Sequence, residues 1–342
     1  MRITYFTDDF ERWDAYVKAH EAGTIYHTSA WKSIIETHFK KDTFYIAAWE
    51  RDKLKGLLPL THFKSALFGN FIVSVPFVNY GGILADSMEA MRALAAEAEK
   101  IRAQYGADFV ELRDARLLEW ELPVKTQKVT FYLDLPPTEE ELMASFKAKL
   151  RSQIRRPMKE GITGEVGGLE LVDAFYEVFC RNMRDLGTPV YSKNFFETIL
   201  RQTPENSHIV LVKSKEGQTI GGAFLHGYKE RMEIPWASTL REYNRFSPNM
   251  LLYWEVLRFS IARGYKQFDF GRCSRDSGTY RFKKQWGSVE HPLYWYYLLP
   301  EGAEMPQINP DNPKYRLAIS MWQKMPLALT RMIGPPIGKN LP

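Results

Sequence analysis

What the sequence lacks narrows its function first. Only two cysteines, Cys180 and Cys273, occur among 342 residues, and they stand far apart. A disulfide framework is excluded, and the pair fits a reducing compartment. The seven histidines, His20, His27, His38, His62, His208, His226 and His291, show no paired metal spacing, so no zinc site is expected. No run approaches the roughly 18 apolar residues that a membrane span requires. The apolar stretch Phe71 to Val78 is of strand length and is interrupted by Pro76. The opening MRITYFTDDFERWDAY has no basic segment followed by an apolar one, as a secretory signal would, so a cytoplasmic location is expected. There is no Walker-type phosphate loop, no dinucleotide glycine fingerprint and no G-x-S-x-G nucleophile turn. A large charge excess is also missing: 46 basic residues oppose 41 acidic ones. A net charge of +5 suits an anionic ligand better than bulk coating of nucleic acid.

What is present is an ordinary globular composition, 45% hydrophobic and 25% charged, at a length that suggests about two domains. A weak internal repeat supports two. Phe44 to Ala48 reads as a strand, followed by a charged turn and a second strand opening at Gly56; Ile209 to Val212 is followed in the same way by a strand opening at Gly221. A third β-rich segment follows in each half, Phe71 to Val78 and Arg231 to Ser238. An amphipathic helix comes next. The first, about Ser87 to Tyr105, spaces Met91, Leu94, Ala95, Ala98 and Ile101 helically; the second opens at Ser247-Pro248 and stops at Gly264. Each leads into a matching strand, Gly106 to Leu112 and Gly264 to Phe270. Three ordered matches at a nearly constant separation predict two α/β (α+β) modules with mixed sheets flanked by helices.

Leu135-Pro136-Pro137 marks a boundary, and Thr138-Glu-Glu-Glu141 a helix start. The expected domains are 1–137 and 138–300, with a tail, 301–342, that is Pro-rich from Pro300 to Pro313. The tail then forms an apolar helix, Tyr315 to Ile333, closed by Gly334-Pro335-Pro336. That helix sets Leu317, Met321, Trp322, Met325, Leu327, Leu329 and Met332 beside Lys314, Arg316, Lys324 and Arg331. It suits packing across the domains, with a peripheral contact at the inner face of a membrane as the rival.

Two segments carry candidate chemistry. In the helix opening at Thr138, Leu142, Phe146, Leu150 and Ile154 recur every four residues, with Lys147, Arg151, Arg155 and Lys159 in a parallel line and Arg156 beside them. This is either a solvated face or a phosphate site, arginine being suited to bidentate contacts. Pro157 is expected to break the helix where the cations are densest. The second segment runs from Phe268 to Gly287: a strand end, then a polar loop rich in cations, then alternating aromatic and basic residues. Strand ends in α/β sheets are where sites collect. Asp269 is a candidate base or orienting carboxylate, and Lys283 a candidate stabiliser of a developing oxyanion.

The run from Asp269 to Gly287, DFGRCSRDSGTYRFKKQWG, resembles the C-terminal motif of FemAB-type proteins, especially the subgroup associated with exosortase/PEP-CTERM and exopolysaccharide systems. Gly56 to Leu60, Lys64 to Gly69, Ser74 to Gly82, Leu150 to Gly161 and Ser247 to Trp254 resemble that subgroup's other motifs. The resemblance implies a tandem pair of GNAT-like domains. It also implies transfer of an acyl or aminoacyl group to an amine, without metal, bound cofactor or covalent enzyme intermediate. Lys283 matches the lysine that stabilises the tetrahedral intermediate, and Arg151, Arg155 and Lys159 match basic residues that bind substrate phosphates. Arg272, Tyr80, Tyr280, Arg281 and Trp286 are further candidate substrate contacts, Tyr280 and Trp286 as groove walls or as core. The relatives' coiled-coil arm is absent, and Arg241 to Pro248 lacks the glycine of an acyl-CoA pyrophosphate loop. The co-substrate, acyl-CoA or aminoacyl-tRNA, stays open. The expected activity is acyl transfer to a saccharide or cell-envelope precursor, with a non-catalytic assembly factor for exopolysaccharide machinery as the alternative.

Overall fold

Short apolar runs bounded by charged turns become strands, and longer amphipathic stretches become helices. The computed structural model describes residues 1–65, 68–275, 277–306 and 313–341. It opens with β1 (Arg2–Tyr5), α1 (Phe10–Ala19), α2 (Ser29–Phe39), β2 (Thr43–Glu50), β3 (Lys53–Ser65), β4 (Gly69–Val73) and β5 (Leu84–Ala85). Then come α3 (Met88–Gln104), β6 (Val110–Asp114), β7 (Val124–Lys125), β8 (Lys128–Asp134), α4 (Glu139–Ser145) and α5 (Ala148–Lys159). The next elements are β9 (Thr163–Gly167), α6 (Val172–Leu186), α7 (Lys193–Gln202), β10 (Ser207–Lys213), β11 (Thr219–Tyr228), β12 (Arg231–Thr239), α8 (Pro248–Ala262) and β13 (Gln267–Asp269). The chain closes with β14 (Cys273–Ser274), α9 (Gly278–Lys284), β15 (Val289–Pro292), β16 (Tyr294–Leu298), α10 (Pro313–Lys324) and α11 (Leu327–Gly338).

Two sheets result, ordered β1-β2-β3-β4-β6-β16-β7 and β9-β10-β11-β12-β13-β8-β14. They correspond strand for strand, which is the duplication that the repeat predicts. In each, a parallel contact, β4 with β6 or β12 with β13, is flanked by antiparallel ones. One unit is Met1–Val129 with β16; the other is Thr130–Glu290 with the C-terminal helices. The division thus falls inside β8 and not at 137, and β16, expected in the second domain, joins the first sheet. Each of these strands fills an edge that its unit leaves open: Leu133 pairs with Phe268, and Tyr296 with Leu112. Alternation identifies a strand but does not name its sheet.

In the first unit, Leu94, Ala98 and Ile101 of α3 pack on Ile46, Leu58, Leu60, Ile72, Val110 and Tyr296. The Ser87 side chain caps this helix, accepting from the Ala90 amide at 3.2 Å. The repeat glycines sit where backbone and neighbours crowd: a Cβ on Gly56 would lie 2.9 Å from Leu84 O, and one on Gly221 2.6 Å from Val212 Cγ2. In the second unit, Phe175, Phe196, Phe224 and Trp236 form an aromatic layer between the sheet and helices α6 and α7, with Phe196 5.3 Å from Trp236. Helix α8 covers the opposite face, where His208 of β10 meets Phe259 at 4.8 Å.

Four local expectations change. The third β segment of the first half ends at Val73, because the chain turns at Ser74 and Phe77 adopts a left-handed φ of 70°. The helix opening at Thr138 stops at Ser145, since Phe146 and Lys147 are extended and Phe146 inserts beside Trp254 and Trp286. Pro157 does not end α5, which continues to Lys159; in the last turn a proline forfeits a single helix bond. The C-terminal helix is two helices broken at Pro326, and the second runs through Pro335 and Pro336. Gly334 and Gly338 there allow close approach to Val190 and do not terminate the helix: a Cβ on either would lie 2.8 or 2.9 Å from that residue.

Candidate active site

The apolar interior of the second sheet is crossed by a row of polar side chains. Strand register places Ser207 of β10 opposite His226 of β11, His226 opposite Glu233 of β12, Glu233 opposite Asp269 of β13, and Asp269 opposite Tyr132 of β8. All five are buried, Asp269 completely. Neighbours opposite one another project to the same face, here the side of α6 and α7, because Trp236 packs on both His226 and Phe196. Ser207 Oγ lies 2.9 Å from His226 Nδ1 and 2.7 Å from Thr203 Oγ1. Burial, reinforced by the nearby His208, pulls the His226 imidazole down to about 3, so it is neutral at physiological pH. Sequence reasoning found only Asp269 of this row. The available signal was a single charged residue inside Met232-Glu233-Ile234 and a single histidine inside Phe224-Leu225-His226.

Lys283 stands beside Asp269. Helix α9 positions it: the Ser277 hydroxyl caps the helix by accepting from the Tyr280 amide at 3.0 Å. The Lys283 ammonium is 3% exposed and donates to Gly271 O at 2.5 Å and to Arg272 O at 3.1 Å. Burial lowers its pKa to about 8, against the opposing pull of Cys273, Asp269 and Glu233. Asp269 fixes the same turn from its other side, accepting from the Gly271 amide at 2.8 Å and from the Thr130 hydroxyl. Carboxylate, turn and ammonium are therefore one hydrogen-bonded assembly, and the structure brings Asp269 and Lys283 together.

The assembly lies where the sheet opens. Among the described residues, strand β12 pairs with β13 through Arg231, Met232 and Glu233, and then runs on to Thr239 with strand pairing on its β11 side alone. At about 3.3 Å per residue, the unpaired edge extends roughly 20 Å past Glu233. It leads through a 3₁₀ turn, Arg241–Phe246, into α8. Helices α4 and α5 lie antiparallel to α8: Glu139 pairs with Arg258, Phe146 packs at 6.3 Å from Trp254, and Arg156 donates to Arg245 O at 2.7 Å. The cation-dense end of α5 thus meets the N-terminus of α8, where the helix dipole also favours anions. Arg155, Arg156 and Lys159 on this end of α5 are exposed, as is Arg245, while Arg241 donates to Asp185 O at 2.8 Å.

The remaining candidates divide. Arg151 is half-buried and turns back to Phe146 O at 2.8 Å and Ala144 O at 3.3 Å, satisfying the end of α4. Arg272 and Arg281 are exposed, the first beside the Lys283 turn and the second on α9. Tyr280 packs edge-on against Phe131 and donates to Glu290, which also holds Arg275. Trp286 is fully buried among Phe146, Tyr253, Phe270 and Phe282, so it belongs to the core and walls no groove. Tyr80 is buried in the first unit, against Tyr26. Among the described residues, no group of three or more His, Cys, Asp or Glu is arranged to hold a metal ion.

The equivalent opening in the first unit is filled by the chain itself. Beyond the Val73–Glu111 pair, the Ser74 amide bonds Glu111 O at 2.9 Å and the Gly81 amide bonds Arg113 O at 3.0 Å. Arg113, 2% exposed, reaches Val78 O at 3.0 Å and pairs with Glu111 at 2.8 Å. Every residue from Phe71 to Leu84 is buried.

A sheet parted after one parallel pair, with cations at the following helix, is the geometry to set beside known proteins. The family of the acetyltransferase (GNAT) domain matches residues 144–284. Residues 144–284 thus form a GNAT-type domain, and the chain as a whole has a duplicated GNAT fold. FemX shares the fold at a TM-score of 0.68 and 18% identity, over 93% of this chain and all (100%) of that one. L-PGS from Bacillus licheniformis follows at 0.57 and 14%, over 95% and 97%. A tandem GNAT protein from the clavulanic acid biosynthesis pathway matches at 0.56 and 11%, over 89% and 99%. No curated protein matches the chain. The GNAT segment contains the polar row from Ser207 to Asp269, the basic end of α5, and Lys283. The tandem arrangement agrees with the FemAB-type resemblance carried by Asp269 to Gly287.

Proposed function

We propose that this tandem GNAT protein is a FemAB-type acyl or aminoacyl transferase that forms an amide, or an ester, on a saccharide or cell-envelope precursor. Its place is with the exosortase/PEP-CTERM-associated subgroup, in the cytoplasm. The observation that carries this reading is the buried Lys283 ammonium, held by two carbonyls at the point where β12 leaves β13. A donor of suitable length lies along the free edge of β12. Its phosphates meet Arg155, Arg156, Lys159 and Arg245, and its acyl carbon lies beside Lys283. Both acyl-CoA and aminoacyl-tRNA have this form, as carriers with phosphates at one end and an activated acyl group at the other.

The acceptor nitrogen attacks the acyl carbonyl, and the electron pair moves onto oxygen. An N–H of Lys283 stabilises that oxyanion, and such a donor contributes on the order of 10²–10³ in rate. Collapse of the intermediate forms the amide and expels the thiolate or ribose oxygen. Glu233 takes the acceptor's proton, while Asp269, engaged with Gly271 and Thr130, orients the turn that seats the lysine. Bringing two substrates together supplies much of the remaining acceleration. The filled opening of the first unit leaves one donor per chain.

Titration with acyl-CoAs and aminoacyl-tRNA tests the proposal, using the wild type, Lys283→Met, and Arg155→Ala combined with Arg156→Ala. One donor should saturate near one per chain, with the arginine variant weakening it at least tenfold. Lys283→Met should bind normally yet lose transfer. If neither donor binds while a saccharide does, the chain is a binding factor.

A further inference from the structure

The last thirty residues have no place in the chemistry above. From Pro313 onward the sequence holds Lys314, Arg316, Lys324, Arg331 and Lys339, and no aspartate or glutamate. Among the described residues, both C-terminal helices pack on α6, and α11 also meets Val190. On α10, Trp322 is buried and Ile319 meets Gly187, while Arg316, Leu317, Ser320, Met321 and Lys324 point the other way. On α11, Thr330, Gly334 and Gly338 are buried, while Leu329, Met332 and Pro336 face outward. Leu317, Met321 and Met332 are 64%, 57% and 68% exposed. Arg331 is occupied by Glu177, but Arg316, Lys324 and Lys339 are exposed.

We infer that the outer faces of α10 and α11 form a docking surface for an anionic lipid bilayer. The charge pattern selects this occupant. Exposed apolar side chains flanked by cations are the signature of a helix lying in the membrane interface, with the apolar tips among acyl chains and the cations among headgroups. A second copy would set one basic face against another. The stub is too short and too charged to span: no helix among the described residues is long and apolar enough to cross a membrane. Docking places the enzyme at a lipid surface, and the inference rests on these helices alone, independent of the transfer reaction.

The test is co-sedimentation of the full chain with vesicles of phosphatidylglycerol and phosphatidylcholine mixed equally, and of phosphatidylcholine alone. The wild type should pellet with the anionic vesicles only. Raising salt from about 0.1 to about 0.5 M should weaken binding at least tenfold, as charge screening requires. Leu317→Glu combined with Met332→Glu should lower affinity by a similar factor while leaving circular dichroism unchanged, since both positions are exposed. Equal binding to the neutral vesicles, absence of binding, or an unaffected variant would each overturn the inference. So would a vesicle-free dimer of the wild type that the double variant abolishes, which would assign the surface to a second copy.

Discussion

Lys283→Met probes the site without any substrate. An ordinary lysine titrates near 10.5 and this one near 8, chiefly because its ammonium is buried. At about 1.4 kcal/mol per pH unit, keeping it charged costs the fold roughly 3 kcal/mol at neutral pH. The folded pKa lies below the unfolded one, so between pH 8 and 10.5 the unfolded chain binds more protons and stability rises with pH. Below pH 8 the penalty is present in full, and it is relieved as pH climbs through the window. Methionine keeps the length of the side chain but has no proton to lose. Its own cost, two carbonyls losing a donor at about 1–3 kcal/mol each, does not change with pH. The stability of Lys283→Met relative to wild type should therefore fall by about 3 kcal/mol between pH 7.5 and 10.5, whatever its starting sign. Guanidinium denaturation followed by tryptophan fluorescence at several pH values, on both proteins, measures this difference, and titrations elsewhere in the chain cancel. A difference constant within about 0.5 kcal/mol would show that the lysine is not charged in a desolvated seat. The proposed oxyanion role would lose its basis with it.

Asp269→Asn should keep the Gly271 contact through the amide oxygen but remove a charge that raises the Lys283 pKa. The same denaturation experiment should then show the window opening below pH 8, and an unmoved window would separate Asp269 from the lysine. Arg113→Ala should cost the first unit about 3–5 kcal/mol, because it strands the buried Glu111 and frees the Val75 and Val78 carbonyls. Lysine should not rescue it, since an ammonium cannot reproduce the guanidinium fork. A thermal midpoint within 2 °C of wild type, on a scale where about 1 kcal/mol moves it 2–4 °C, would refute the filled-opening account.

The duplication was legible because it repeats patterns of local origin. Apolar alternation at Phe44 to Ala48 and Ile209 to Val212, the glycines at 56 and 221, and helix α3's spacing all arise within a few residues of each other. Lys283 and Asp269 were singled out through the motif that contains both, and the structure places them around one turn at Gly271. What the sequence hid was non-local. Strand β16 joins the first sheet because β6 offers an open edge, and nothing within Tyr294 to Leu298 records that edge. His226 and Glu233 each look like an isolated polar residue in an apolar strand, and only register across β11, β12 and β13 turns them into a row with Asp269. Arg151 shared the four-residue spacing of Arg155 and Lys159, yet the break at Phe146 gave it the carbonyls of α4 to satisfy. Spacing gives direction around a helix but not the competition for each side chain.

The two sheets make a controlled comparison, because topology is held constant while the opening differs. In both, a parallel contact stops early: at Glu111 in one and at Asp269 in the other. A backbone edge exposed inside a protein must find partners. In the first unit, residues 74–82 supply them, and Arg113 locks that segment with bonds to two of its carbonyls. An arginine so placed needs its own counter-charge, which Glu111 provides, and Glu111 in turn accepts from the Tyr297 hydroxyl. The buried charge is consumed in holding the fold. In the second unit, the buried Glu233, Asp269 and Lys283 stand where the β12–β13 pairing ends, and among the described residues no strand pairs with that side of β12 beyond Glu233. The lysine bonds two carbonyls, which leaves one of its three N–H groups to spare. The same polar investment closes one opening and prepares the other. The difference between a closed opening and a candidate site therefore lies in whether the chain after the paired stretch turns inward, as at Ser74, or continues as strand, as at Ile234.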